Sequence, residues 1–288
     1  MPSHPPSNLA DLTDPGEKRP AWYLDLVLPD IGGGKRTLAE LDAIGANRKA
    51  TALRVSGLDQ DSFEALVSRF GAQFSGLNFW KCPQISDLTP LEKLPNLTHV
   101  AFYWNQRATR LWDLSKTPNL RGLQFEDFSR LRDLGDVAKA ASLNELRFGD
   151  AVWVKAVIAS LAPLERLEEL RVLALFVRRI EDGQIQPLAK LQRLERLECP
   201  TNLFTTEQLA WLRARLPDFT QGRVLAPIER LRDPLPAKEG SAPKDVLVMG
   251  KRKPFLSSAS DAKRIDRYGD DFWTLVERFR GDPGLEPD

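Results

Sequence analysis

The side chains best suited to proton transfer, nucleophilic attack or soft-metal binding are scarce in this chain: His4, His99, Cys82 and Cys199. Histidine is the usual general base and a cysteine thiolate a ready nucleophile. A Ser-His-Asp or Cys-His arrangement would have to use His99, because His4 lies in a Pro-rich N-terminal stretch. No H-x-x-x-H or C-x-x-C spacing exists to gather metal ligands. Ile31-Gly32-Gly33-Gly34-Lys35 lacks the G-x-x-x-x-G-K-[ST] spacing of a phosphate loop and reads as a flexible turn. Adjacent carboxylates such as Glu126 and Asp127 are ordinary in a chain that is 28% charged. The sequence therefore predicts no catalytic residue, no metal and no cofactor.

Recognition is the chemistry that the spacing does favour. Trp80, Tyr103 and Trp104 belong to a recurring nine-residue frame, apolar at positions one, four and six. The frame begins at Ala50, Phe74, Leu97, Leu120, Leu143, Leu167 and Leu194, at offsets of 24, 23, 23, 23, 24 and 27 residues. Position four reads Leu53, Leu77, Val100, Leu123, Leu146, Leu170 and Leu197. Position six reads Val55, Phe79, Phe102, Phe125, Phe148, Val172 and Cys199. Alternation over so short a run predicts a strand, with successive side chains on opposite faces. No single frame can bury its apolar face alone, so stacked neighbours must supply the core.

Fourteen residues after four of these starts stand Leu88, Leu111, Leu134 and Val157, on the predicted return legs. With ISDLTPLEKLPNL (85–97), the pattern resembles the leucine-rich repeats of the internalin-like bacterial class, L-x-x-L-x-L-x-x-N-x-I-x-D-L-x-P-L, over about residues 50–216. The resemblance implies an α/β solenoid, a right-handed horseshoe or arc of about seven repeats with a parallel concave sheet, and a partner-binding role. Three departures stand out. Asparagine holds position nine only at Asn105 and Asn202, with Leu58, Cys82, Phe128, Ala151 and Leu175 elsewhere, which suggests apolar turns. The 27-residue offset implies a bulge near Glu181–Gln186. SFEALVSRF (62–70) and TEQLAWLRARLPDF (206–219) carry helical spacing, so the first and last return legs are predicted as true helices.

In this frame positions three, five, seven and eight face outward on the concave sheet. They present Asn78, Trp80 and Lys81; then His99, Ala101, Tyr103 and Trp104; then Gln124, Glu126 and Asp127; then Glu145, Arg147 and Asp150. Three large aromatics on neighbouring strands, flanked by carboxylates, make the candidate binding site, and a partner rich in Lys or Arg would suit it. The competing reading is that a terminal segment of the chain itself covers the aromatics.

The chain divides into a disordered tail (1–20), an N-terminal cap (21–49), the solenoid (50–221), a Pro- and charge-rich linker (222–245), a strand-helix segment (246–280) and a short tail (281–288). In the C-terminal segment Ile265, Tyr268, Phe272, Leu275, Val276 and Phe279 recur at helical steps, with Ser260 or Asp261 as N-cap. Such a stripe must bury; capping the solenoid's flank or open C-terminal end is the favoured use, and a module for a second partner is the alternative. A net charge of +1 gives no global field toward nucleic acid or membrane. A nucleic-acid role through Arg110, Arg130, Arg178, Arg179 and Lys251–Lys253 is the alternative, disfavoured because these residues are scattered. No apolar run is long enough to span a bilayer. Lack of a signal-like start, with two cysteines predicted in the core and roughly 24 Å apart, points to a cytosolic, reducing setting; the sequence leaves the oligomeric state open, with a monomer favoured.

Overall fold

The computed structural model describes residues 6–16, 19–152, 154–236 and 242–287. Eight parallel strands form one sheet in nearly sequential order. They are β1 (Tyr23–Leu26), β2 (Ala52–Val55), β3 (Gly76–Trp80), β4 (His99–Asn105), β5 (Gly122–Phe128), β6 (Glu145–Gly149), β8 (Val172–Phe176) and β10 (Arg196–Glu198). Short β7 (Val157–Ile158) and β9 (Arg179–Ile180) pair with each other as a separate two-stranded sheet. Three-residue and five-residue 3-10 turns, such as Thr89–Lys93 and Gln186–Lys190, fill most return legs. The predicted helices on the first and last legs are present, as α3 (Gln60–Phe70) and α4 (Thr206–Arg215). Each starts with a reciprocal capping box, Asp59 with Ser62 and Thr205 with Gln208. A short helix, α2 (Asp42–Ala46), completes the N-terminal cap, and β1 adds directly to the sheet.

The core is the stacked ladder that the frame anticipates. Leu53, Leu77, Val100, Leu123 and Leu146 are in register and fully buried. Beside them Phe79 stacks on Phe102 at 4.7 Å and Phe125 on Phe148 at 5.6 Å. Phe128 meets both Phe102 and Phe125 edge-on, an aromatic occupant of the position-nine turn. Where asparagine does stand there, Asn105 is buried and stitches the turn. Its amide donates to the Ile85 carbonyl at 2.8 Å, and its carbonyl oxygen accepts from the Ala108 N–H at 2.8 Å.

The sixth repeat corrects the sequence frame. Leu146 pairs with Leu173 and Phe148 with Leu175, so this repeat begins at Leu170 and its fourth and sixth positions are Leu173 and Leu175. The leucines at 164, 167, 170 and 173 lie three apart, and both registers put apolar residues at positions one, four and six. Closure of the ladder decides between them. The long repeat is consequently the fifth, its return-leg residue is Leu161 rather than Val157, and the insertion lies after β6, around residues 150–156, rather than at Glu181–Gln186.

The termini also differ from expectation. Residues 9–13 of the predicted tail form a helix, α1 (Leu9–Thr13), with Leu9 and Leu12 buried against the sheet. The predicted linker contains β11 (Ile228–Leu235), which pairs antiparallel with β12 (Lys244–Val248), itself paired with β13 (Phe255–Leu256). The last helix, α5 (Ala262–Gly281), buries Phe272, Val276 and Phe279 in the main core beside α4. Asp261 stands at its N-cap position without capping a backbone N–H of the first turn; its carboxylate accepts from the Ser257 N–H and from the Arg264 guanidinium instead. Leu285 of the predicted C-terminal tail packs on the core, and the Trp211 indole donates to its carbonyl at 3.0 Å. No helix among the described residues is long and apolar enough to cross a membrane.

Candidate functional site

Position seven of the repeat runs across the concave face as Trp80, Tyr103, Glu126, Gly149 and Phe176, adjacent strand by strand. The Trp80 and Tyr103 rings stack at 4.2 Å and 19°. The Arg54 guanidinium extends the stack, 4.3 Å from the centre of the Trp80 indole. Trp80 and Tyr103 are half-buried, and Arg54 is set deeper, its side chain 15% exposed and 3.8 Å from the Asp25 carboxylate. Cation–π and ring-stacking contacts of this kind hold flat, amphipathic side chains in one orientation. Arg54 went unremarked in the sequence, although its place at position five of the first repeat could have flagged it.

Position eight turns the chain away from the sheet, and it does so in the left-handed region. Gly57, Lys81, Trp104 and Asp127 have φ of 73°, 54°, 63° and 55° on four successive repeats. Gly57 must lack a side chain because a Cβ there would sit 2.7 Å from the Gly33 carbonyl oxygen. The Gly32–Gly34 turn thus serves as packing, laid against Lys81 and Gly57.

At this edge a cleft of about 550 Å³ opens, lined by Tyr103, Trp104, Asp127, Phe128, Asp150 and the inserted residues Val152 and Lys155. The insertion of the fifth repeat is what builds its far wall. Asp127 accepts from the Ala151 N–H at 3.1 Å, and Asp150 accepts from the N–H groups of Lys155 and Ala156, so two carboxylates fold the inserted loop. Burial raises the Asp127 carboxyl above its usual range; the Ala151 hydrogen bond opposes this and Asp150 adds to it. Burial likewise raises Glu126, partly offset by Arg147. The Tyr103 hydroxyl is raised by burial and then by Asp127 and Glu126. Gln124 and Arg147 lie half-buried in the row beside this acidic edge.

Two predicted site residues are not on the open surface. Asn78 and His99 are each 2% exposed, because α1 lies over positions three and five of the central strands. A terminal segment does cover the concave sheet, but it covers that half and leaves the aromatic row open. Burial pushes the His99 imidazole down to about 4, and a nearby Arg121 adds to this against the pull of Asp11. Cys82 and Cys199 are buried with their thiols pushed up to about 12 by burial, so at neutral pH neither presents a thiolate. Of the scattered basic residues, Arg178, Arg179 and Lys251 border a common cavity of about 320 Å³. Arg110 stands elsewhere and pairs with Asp136 at 3.8 Å.

In-register strands, 3-10 return legs and the buried Asn105 turn together decide the architecture. This is a leucine-rich repeat solenoid. No family model matches the chain, and no curated protein matches it. Among solved structures, an internalin of Listeria monocytogenes (InlF) is similar at 20% identity and a TM-score of 0.45, over 67% of this chain and 51% of that one. Internalin C2 of the same organism gives 21% identity and 0.46, over 62% and 71%. A leucine-rich repeat protein of Leptospira interrogans gives 17% identity and 0.44, over 70% and 48%. The chain thus spans about half the length of the first of these internalins. The assignment of the solenoid rests on its own strand register.

Proposed function

We propose that this solenoid is a non-enzymatic scaffold that binds a partner protein in the cytosol through the open half of its concave face. The observation carrying this reading is the Arg54–Trp80–Tyr103 stack. Three large side chains stack on one another, Trp80 and Tyr103 side by side at position seven and Arg54 from position five of the preceding repeat, at places where a repeat needs nothing of the kind for its core. Trp, Tyr and Arg are the side chains that most often dominate binding energy at protein interfaces. The carboxylates of Glu126, Asp127 and Asp150 continue the surface toward the inserted loop and favour a partner bearing Lys or Arg. Scaffold binding is also the use to which an extended repeat surface is suited.

The test compares capture from a lysate of the source organism by the wild type and by a Trp80→Ala, Tyr103→Ala, Trp104→Ala variant, with circular dichroism confirming that both fold. Capture that is lost in the variant supports the reading. A partner retained equally by both proteins would place binding elsewhere and overturn it. Retention on heparin that vanishes at raised salt would instead favour an anionic ligand at Arg178, Arg179 and Lys251.

A further inference from the structure

The concave groove beneath α1 is built as a seat. Its floor is Ala52, Gly76, Ala101 and Gly122, small residues on four neighbouring strands. A Cβ at Gly76 would lie 2.7 Å from Pro6 Cγ and 3.1 Å from Leu12 Cδ1. One at Gly122 would lie 2.5 Å from His99 Cδ2 and 3.0 Å from Leu9 Cγ. The two leucines therefore sit in space that the glycines leave open, Leu9 sharing its part with the His99 ring. Leu12 joins Tyr23, Ala52 and Ala101 in a small apolar cluster of its own, apart from the solenoid core.

Both ends of the helix are held by side chains of the sheet. At its start the Leu9 N–H donates to the Glu145 carboxylate at 2.9 Å. At its end the Leu12 carbonyl accepts from the Tyr23 hydroxyl at 2.8 Å and the Asn78 amide at 3.2 Å. These are the orphan groups that any short helix leaves at its termini. The seat thus recognises helical backbone ends as well as two apolar side chains one turn apart.

The occupant itself is weakly constituted. α1 has five residues, and isolated helices that short do not persist in water. Its link to β1 includes Pro15, Gly16 and Pro20, with Gly16 at φ 76° and open space around it. We infer that this groove is a docking site for a short amphipathic helix with leucines three residues apart. α1 is the chain's own copy of that ligand, and a partner protein presenting such a helix takes its place. Recognition is of the helix-in-groove type. It uses a different row of the sheet from the aromatic stack.

The probe is a fluorescein-labelled peptide of residues 5–16, titrated by anisotropy into the full-length wild type and into a full-length Leu9→Asp, Leu12→Asp variant whose own α1 no longer fits. The expected result is saturable binding to the variant. Binding to the wild type should be at least about tenfold weaker, because its tethered segment competes at an effective concentration on the order of millimolar. The peptide carrying both Leu→Asp changes should bind neither protein. No binding to the folded variant, or equal binding of both peptides, overturns the inference. Amide hydrogen exchange on the unaltered protein supplies a second arm independent of variant folding. The Thr13 and Asp14 amides should exchange on the order of 100-fold faster than those of Val100 and Phe102 in β4. Protection of α1 equal to that of β4 would make it a fixed part of the fold and overturn the inference. Neither arm alters Trp80, Tyr103 or Trp104, so the aromatic stack stands or falls separately.

Discussion

Asn78 donates its side-chain amide to the carbonyl of Leu12, joining the second repeat to a helix 66 residues earlier in the chain. The contact exists because Gly76, on the same strand, leaves room for the Leu12 side chain. Gly76→Val should therefore expel α1 while leaving β3 intact, since a β-branched residue suits a strand. We expect a loss of about 1–3 kcal/mol in denaturant titrations, the usual range for overpacking, and rapid proteolysis within the first 20 residues. A variant as resistant to proteolysis as the wild type would show that α1 does not depend on this space.

His99 gives the concave face a defined response to acid. Its imidazole is neutral beneath α1, at about 4 against an ordinary 6.5. Below about 6.5 the unfolded chain takes up a proton that the folded chain refuses, so stability is intact above that value and declines as the pH falls toward 4. The loss approaches about 3 kcal/mol at the lower limit. Asp11, near His99, is raised by burial, but hydrogen bonds from Ser7 outweigh this and hold its carboxyl below 3.8, so its own titration lies under the window. Unfolding free energies measured at pH 7, 5.5 and 4.5 should fall progressively in the wild type and much less in His99→Gln. Parallel curves for the two proteins would remove His99 from the account.

The repeat, its strands and its aromatic row were legible because period and alternation are local properties of the chain. Trp80 and Tyr103 follow from the frame once Phe79 and Phe102 are assigned to the core. The sixth repeat was not legible, because Leu164, Leu167, Leu170 and Leu173 satisfy two registers and only pairing with Leu146 and Phe148 separates them. Burial of His99 and Asn78 was invisible for a different reason. It depends on a segment some 70 to 90 residues away whose own signal is brief: Asn8 as N-cap, then Leu9 and Leu12. The small floor residues were the available clue, since a concave strand that bears Gly or Ala where its neighbours bear Glu or Arg has room for something above it.

The inserted loop of the fifth repeat should answer to a single carboxylate. Asp150 accepts hydrogen bonds from two consecutive backbone N–H groups, Lys155 and Ala156, which otherwise have only solvent to turn to. Asp150→Ala should open the loop and remove the far wall of the cleft at a cost of about 1.5–3 kcal/mol, the range for hydrogen bonds to a charged group. Asp150→Asn, which keeps one acceptor oxygen, should recover part of that. Proteolysis confined to residues 150–156 in the alanine variant is the readout; an unchanged digestion pattern would show that the loop is held by other contacts.

Arg215, in the last turn of α4, reaches the other end of the molecule's last helix. Its guanidinium donates to the carbonyls of Phe279 at 2.6 Å, Asp282 at 3.0 Å, Pro283 at 3.0 Å and Leu285 at 3.2 Å. One planar side chain thereby satisfies one carbonyl of the last turn of α5, that of Phe279, and three of the segment just after it, and fixes how that helix end covers the solenoid. Arg215→Ala strands these acceptors, some of them half-buried, and should cost about 2–4 kcal/mol in unfolding free energy, each lost bond to the charged group being worth about 1.5–3 kcal/mol before water compensates. Arg215→Lys should restore little, because a single ammonium cannot span four carbonyls in fork geometry. Trp211, whose indole donates to the same Leu285 carbonyl, reports the change through its fluorescence. A lysine variant as stable as the wild type would show that charge alone, without the planar fork, holds α5 in place.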